Sequence, residues 1–148
     1  MKLLNTLFSS KAGVAALILR VPVGLILAAH GAQKLFAWFG GYGLEGTGQW
    51  MASIGLEPGY WLAMMAGSAE FFGGIALAIG LLTRPAAVVA GFTMLIAIFS
   101  VHISNGLFMA NNGYEYALTL LVVTVVLAIQ GAGSFSLDNV LAKKLANK

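Results

Sequence analysis

Six ionisable side chains lie within or beside long apolar runs of this sequence: Arg20, His30, Lys34, Glu70, His102 and Glu115. An ionised side chain at bilayer depth costs roughly 2.5 kcal/mol or more, so such groups normally face a protein interior or a water-filled cavity. Three of them share the stretch RVPVGLILAAHGAQK, from Arg20 to Lys34. On a helix turning about 100° per residue, Lys34 projects about 40° from Arg20, and His30 about 80° from it. Gly24, Leu27 and Gly31 fall in the same sector, while Val14, Leu25 and Ala29 take the opposite face. A basic stripe set among small residues is thus aimed at protein, with a lipid-like face behind it.

The residue types suit proton transfer to a polar ligand. Histidine changes charge near neutrality, with an unperturbed pKa near 6.5. Lysine donates hydrogen bonds and carboxylates accept them. Depth decides which groups can meet. Arg20 lies near the middle of its apolar run, and Glu70 lies roughly 15 Å into another, at about 1.5 Å per residue. Arg20 and Glu70 are therefore expected at similar depth, as a structural ion pair or as part of a binding site. His30 and Lys34 fall toward one end of the first run, His102 at the end of a third, and Glu115 at the start of a fourth. His30, Lys34, Glu70, His102 and Glu115 are the candidate ligand-binding residues. No catalytic role is assigned to any of them.

Each also has a structural reading. Lys34 can snorkel to headgroups, Glu115 can favour the first turn of a helix, and both histidines can be satisfied interhelical donors. Ala66, Gly67, Ala69, Gly73 and Gly74 around Glu70 favour close helix packing. Two histidines on different segments raise a bis-histidine haem. Composition alone accounts for two histidines, however, so haem is disfavoured. No spacing motif supports a metal on His30, His102 and Glu115, and no metal site is assigned.

The elements that must position these residues follow from hydropathy. Of 148 residues, 59% are hydrophobic and 9% charged, against about 25% charged in soluble domains. The chain cannot cover a soluble globule and reads as a membrane protein. A net charge of +3, gathered toward the termini, does not suggest nucleic acid. The absence of cysteine removes thiol redox chemistry and cysteine-held iron–sulfur clusters. Four apolar segments approach the ~20 residues that span a bilayer: about 12–35, 60–82, 85–103 and 114–129. The expected fold is an all-α, integral-membrane four-helix bundle forming a single domain over 1–148, with a tail from 133 to 148.

LLTRPA is too short to join the second and third segments other than as an antiparallel hairpin, with Pro85 in the first turn. Around Thr47 to Ile54 a short interfacial helix is expected, with Trp50 and Met51 facing lipid. Trp38, Tyr42, Trp50, Tyr60, Trp61 and Tyr114 form an expected aromatic belt. Lys2, Lys11, Arg84, Lys143, Lys144 and Lys148 fall on one side, which places both termini in the cytoplasm. The N-terminal MKLLNTLFSSK reads as a short lead-in rather than a cleaved signal. In the tail, Ser136 or Asp138 is the expected helix cap.

Several stretches resemble the DoxX family of small four-helix bacterial membrane proteins. They are AAHGAQKL (28–35), AEFFGGIALAIGLLTRPAA (69–87), FSVHISNGLF (99–108), NGYEYALTLL (112–121) and GAGSFSLD (131–138). The resemblance implies a multi-pass protein of the bacterial inner (plasma) membrane with a link to redox chemistry, since relatives include a subunit of thiosulfate:quinone oxidoreductase. The family positions that map here are Arg20, His30, Lys34, Glu70, His102 and Glu115. The expected function is a quinone-interacting or redox-associated subunit of a membrane oxidoreductase system. Lys34, His30 or His102 would donate to quinone carbonyls, and Glu70 or Glu115 would relay protons. The ring would pass from lipid through the small-residue groove between the first two segments. The chain supplies no electron carrier, so a redox partner protein is implied. The alternative is a non-enzymatic scaffold or small-anion transporter, which as a transporter would need a homo-oligomer.

Overall fold

Each apolar run becomes a helix. α1 spans Gly13–Phe36, α2 Gly43–Ser53, α3 Gly59–Ile79, α4 Thr83–Ala97, α5 Glu115–Gln130 and α6 Leu137–Ala146. This computed structural model describes residues 7–146, with no strand among them. Lys2, Lys148 and residues 1–6 of the N-terminal lead-in lie outside the described residues. α1, α3 and the continuous helical stretch Thr83–Asn105 are long and apolar enough to cross a membrane, while α5 is apolar but shorter.

α1 packs on α3, α3 on α4, α4 on α5, and α5 back on α1. Leu27, Leu77, Met94, Leu120 and Leu127 fill the enclosed core. The buried residues of α1 are Ala16, Arg20, Gly24, Leu27, Gly31 and Ala32, which is the face expected from helical projection. The α1–α3 seam is in backbone contact. A Cβ on Gly24 would stand 2.5 Å from the Gly74 carbonyl oxygen, and one on Gly31 would strike the Phe71 backbone nitrogen. The expected small-residue groove is therefore closed: the two helices fill it with each other, and no ring can pass through it.

The expected Arg20–Glu70 ion pair does not form. Arg20 is 1% exposed and donates to backbone carbonyls instead. Its Nε reaches Ala132 at 3.1 Å, Nη1 reaches Leu77 at 3.3 Å and also Ala78, and Nη2 reaches Phe135 at 2.7 Å. Depth is the reason. Across the α1–α3 seam Glu70 is level with Gly31, which abuts Gly67 and Phe71, whereas Arg20 lies about 16 Å farther along α1 at 1.5 Å per residue. The offset exceeds one helical turn. At its own level Arg20 meets the C-terminus of α3, whose last carbonyls lack helical partners and attract cations.

The tail completes this end. Asp138, 1% exposed, accepts from Leu82 N–H at 2.7 Å and Thr83 N–H at 2.9 Å, capping the start of α4. Ser136, not Asp138, caps α6, accepting from Asn139 N–H at 3.2 Å. Arg84 donates to the Ala128 and Ile129 carbonyls at the end of α5 and to Ser9. GAGSFSLD thus acts as a clasp, seated between Arg20 and the α3–α4 turn. That turn has Gly80 in the left-handed conformation (φ 70°) and Pro85 in the first turn of α4, as the hairpin reading requires.

At the opposite end α2 lies on α3, where Gly48 and Gly59 approach closely. Trp50 is exposed, but Met51 is buried, contrary to the expectation that both face outward. Met51 lies on the helical face of Gly43, Thr47 and Gly48, the face that packs inward. Trp38, Tyr42, Tyr60 and Trp61 are exposed around this end.

Candidate functional site

The half of the core nearer α2 contains a cavity of about 170 Å³. Four elements deliver its polar wall: His30 and Lys34 from α1, Glu70 from α3, His102 from the end of the α4 stretch, and Tyr116 from α5. Leu27, Met94 and Leu120 supply apolar wall. Of the candidate residues, His30, Lys34, Glu70 and His102 meet here. Glu115 and Arg20 do not.

Lys34 and Glu70 form an ion pair, Nζ to Oε2 at 2.6 Å, with side chains 24% and 6% exposed. Lys34 is therefore held by Glu70 rather than extending freely to the headgroups. It turns inward because Glu70 sits one turn deeper, on the facing side of α3. The pair is neutral as a unit, so the cavity carries no net formal charge while both histidines are neutral.

His102 closes a π-helical turn, Ile98–His102. Such wide turns add a residue to the helical circuit and often occur at functional sites. The ring Nδ1 lies 2.8 Å from the Asn112 carbonyl oxygen. A carbonyl only accepts, so Nδ1 carries the proton, and Nε2 is an acceptor in the neutral ring or a donor in the charged one. His30 sits against Tyr116, ring centroids 6.0 Å apart and planes at 50°. Neither His30 nitrogen has a protein hydrogen-bond partner among the described residues. A ligand in the cavity would thus meet two imidazoles, a phenol and an ion pair within apolar walls.

Glu115 serves the loop. Its Oε1 accepts from Met109 N–H at 2.6 Å, and its backbone N–H donates to Leu107 at 2.9 Å. Those bonds hold the 103–114 connection over the cavity. Among the described residues no three His, Asp or Glu side chains gather as a metal-ligand set. Tyr116, Met94, Met109 and Asn112 are cavity residues that the reading of the sequence did not select. The signal for Tyr116 was present. Ala117, Leu120 and Thr124 are buried at helical spacing, and Tyr116 borders that inner face.

Residues 15–103 match the DoxX family. The "Putative oxidoreductase CatD" of Bacillus subtilis is 34% identical over 125 residues, covering 84% of this chain and 85% of its own length. The inner membrane protein YqjF of Escherichia coli is 34% identical over 137 residues, covering 88% of this chain and 95% of its own. An uncharacterized Haemophilus influenzae protein is 32% identical over 133 residues, covering 85% and 90%. No solved structure matches the chain significantly. The family match includes the Arg20, His30, Lys34, Glu70 and His102 positions, and on it and these relatives the chain is a membrane protein that belongs to the DoxX family.

Proposed function

We propose that the chain is a quinone-interacting, redox-associated subunit of the bacterial inner membrane. In this reading α1, α3, the α4 stretch and α5 cross the bilayer as a four-helix bundle. Lys11, Arg84, Lys143 and Lys144 mark the cytoplasmic end, and α2 lies in the outer interface. The names of two relatives, "Putative oxidoreductase CatD" and "Inner membrane protein YqjF", support the redox association and the location.

The observation that carries the quinone reading is the cavity. A void of about 150 Å³ in a protein core admits benzene, so one of about 170 Å³ fits a single six-membered ring. Its donors suit ring carbonyls: His102 through Nε2 when protonated, the Tyr116 hydroxyl, and Lys34. A bound quinone would supply the two-electron, two-proton couple. This chain's residues would hold the ring, exclude water and keep protons on Lys34, His30 and His102 within reach. A protein partner would supply electrons. The small-anion alternative gains nothing from this cavity, because Glu70 already neutralises its lysine.

The test is titration of the purified protein with a short-chain quinone, followed by tryptophan fluorescence. Saturable quenching is expected. Tyr116→Phe and His102→Ala should each weaken it about tenfold, the equivalent of one hydrogen bond to a polar ligand. Absence of saturable quenching, or affinity unchanged in both variants, refutes the reading.

A further inference from the structure

A second, larger cleft of about 480 Å³ lies outside the core, between the end of α1, the Trp38–Gly40 turn and α2. That volume falls within the range of small-molecule sites. Its polar side chains are Gln33, Lys34, Tyr42, Thr47 and Trp50, and no carboxylate lines it. Each of those five side chains offers at least one hydrogen-bond donor, and Lys34 and Trp50 offer nothing else. Glycines complete the wall, and a Cβ on Gly40 would meet nothing within 4 Å.

Donor capacity remains for a ligand. Lys34 Nζ has one partner, Glu70, although an ammonium has three N–H groups. Thr47 is 6% exposed and lines the cleft, yet its hydroxyl has no protein hydrogen-bond partner among the described residues. The adjoining backbone is strained: Ala37 and Phe39 have φ of 59° and 53°, values that L side chains seldom adopt and that cluster at ligand clamps. Tyr42 and Trp50 flank the opening, exposed as aromatics are at a membrane–water interface.

We propose that this cleft is a phosphate-oxyanion site, occupied by the phosphodiester of an anionic phospholipid. Thr47, Trp50, the amide N–H of Gln33 that does not hold the Phe39 carbonyl and the remaining N–H groups of Lys34, whose charge Glu70 offsets, donate to the oxygens, and the exposed rings lie beside the glycerol and upper chains. With no carboxylate to meet a choline or ethanolamine cation, the cleft favours a headgroup such as phosphatidylglycerol. Lys34 then joins the lipid phosphate to Glu70, the wall of the inner cavity. The cleft shares Lys34 with that cavity, but Gln33, Thr47 and Trp50 line the cleft alone, so lipid binding does not rest on the quinone reading.

The test is thermal unfolding and native mass spectrometry of the detergent-purified chain. Short-chain phosphatidylglycerol, short-chain phosphatidylcholine and inorganic phosphate are added separately. Phosphatidylglycerol should raise the melting temperature and persist as an adduct. Thr47→Val and Gln33→Leu, which leave the Lys34–Glu70 pair intact, should each weaken that binding about tenfold. A control variant, His102→Ala in the inner cavity, should not. Stabilisation by inorganic phosphate that is lost in the same two variants keeps the oxyanion site and makes a soluble anion its source. Equal effects of the two lipids, or binding unchanged in both cleft variants, overturn the proposal.

Discussion

Arg20→Met removes a guanidinium and keeps a side chain of similar apolar length. In the folded protein that guanidinium holds the Leu77, Ala78, Ala132 and Phe135 carbonyls. Hydrogen bonds to charged groups contribute about 1.5–3 kcal/mol each, so four at the lower bound total about 6 kcal/mol. Removing a buried charge returns several kcal/mol of desolvation, leaving a net loss of about 3 kcal/mol. For a chain of this length that lowers the melting temperature by about 6–12 °C. The assay is thermal unfolding in detergent followed by circular dichroism. A Ser134→Cys probe adds a local readout, because the chain has no native cysteine to compete for label. The probe should label faster once Arg20 is gone, since the 131–136 segment loses its anchor. Arg20→Lys is the sharper control: a single ammonium cannot reach carbonyls on two segments together, so it should rescue little. Melting within about 1 °C of the parent for either variant refutes the clasp. Quinone affinity that falls while stability holds would move Arg20 into a ligand role.

Asp138→Ala should cost about 1–2 kcal/mol, the value of a lost helix cap, and loosen α6; denaturant titration measures it, and an unchanged midpoint counts against the cap. Gly31→Ala drives a methyl into the α3 backbone and should cost about 1–3 kcal/mol through overpacking, whereas a neutral effect in the same titration would mean that the α1–α3 seam is looser than described. Lys34→Met strands a buried carboxylate and should destabilise by about 3–5 kcal/mol, while Lys34→Met with Glu70→Leu should recover most of it. A double variant as unstable as the sum of the two singles rules out direct pairing.

The buried face of α1 was legible because helical rotation is fixed at about 100° per residue. Leu25 and Val14 on one side and Arg20 and Gly24 on the other fall as rotation demands. The helices were legible because apolar length is written in the sequence. Partners were not. Arg20 meets backbone carbonyls, which have no residue type to announce them. Pairing Arg20 with Glu70 required depth good to one turn, and a helix start uncertain by several residues removes that precision. Met51 and Trp50 are neighbours in sequence about 100° apart, so one short helix placed without its packing partner could not assign them. The same holds for Glu115 and Tyr116. The π turn before His102 adds a residue to the helical circuit, which a regular residue count does not register. Residue chemistry did group His30, Lys34, Glu70 and His102 toward one end of the bundle, and all four line one cavity.

The central claim is that this cavity receives a quinone ring. A photoreactive azido-quinone, activated on the purified protein and mapped by peptide mass spectrometry, tests it most directly. Adducts are expected at Met94, Met109 or Tyr116, suppressed by excess unlabelled quinone. Adducts confined to outward residues such as Phe72, Phe92 and Ile129, or insensitive to competitor, would contradict it.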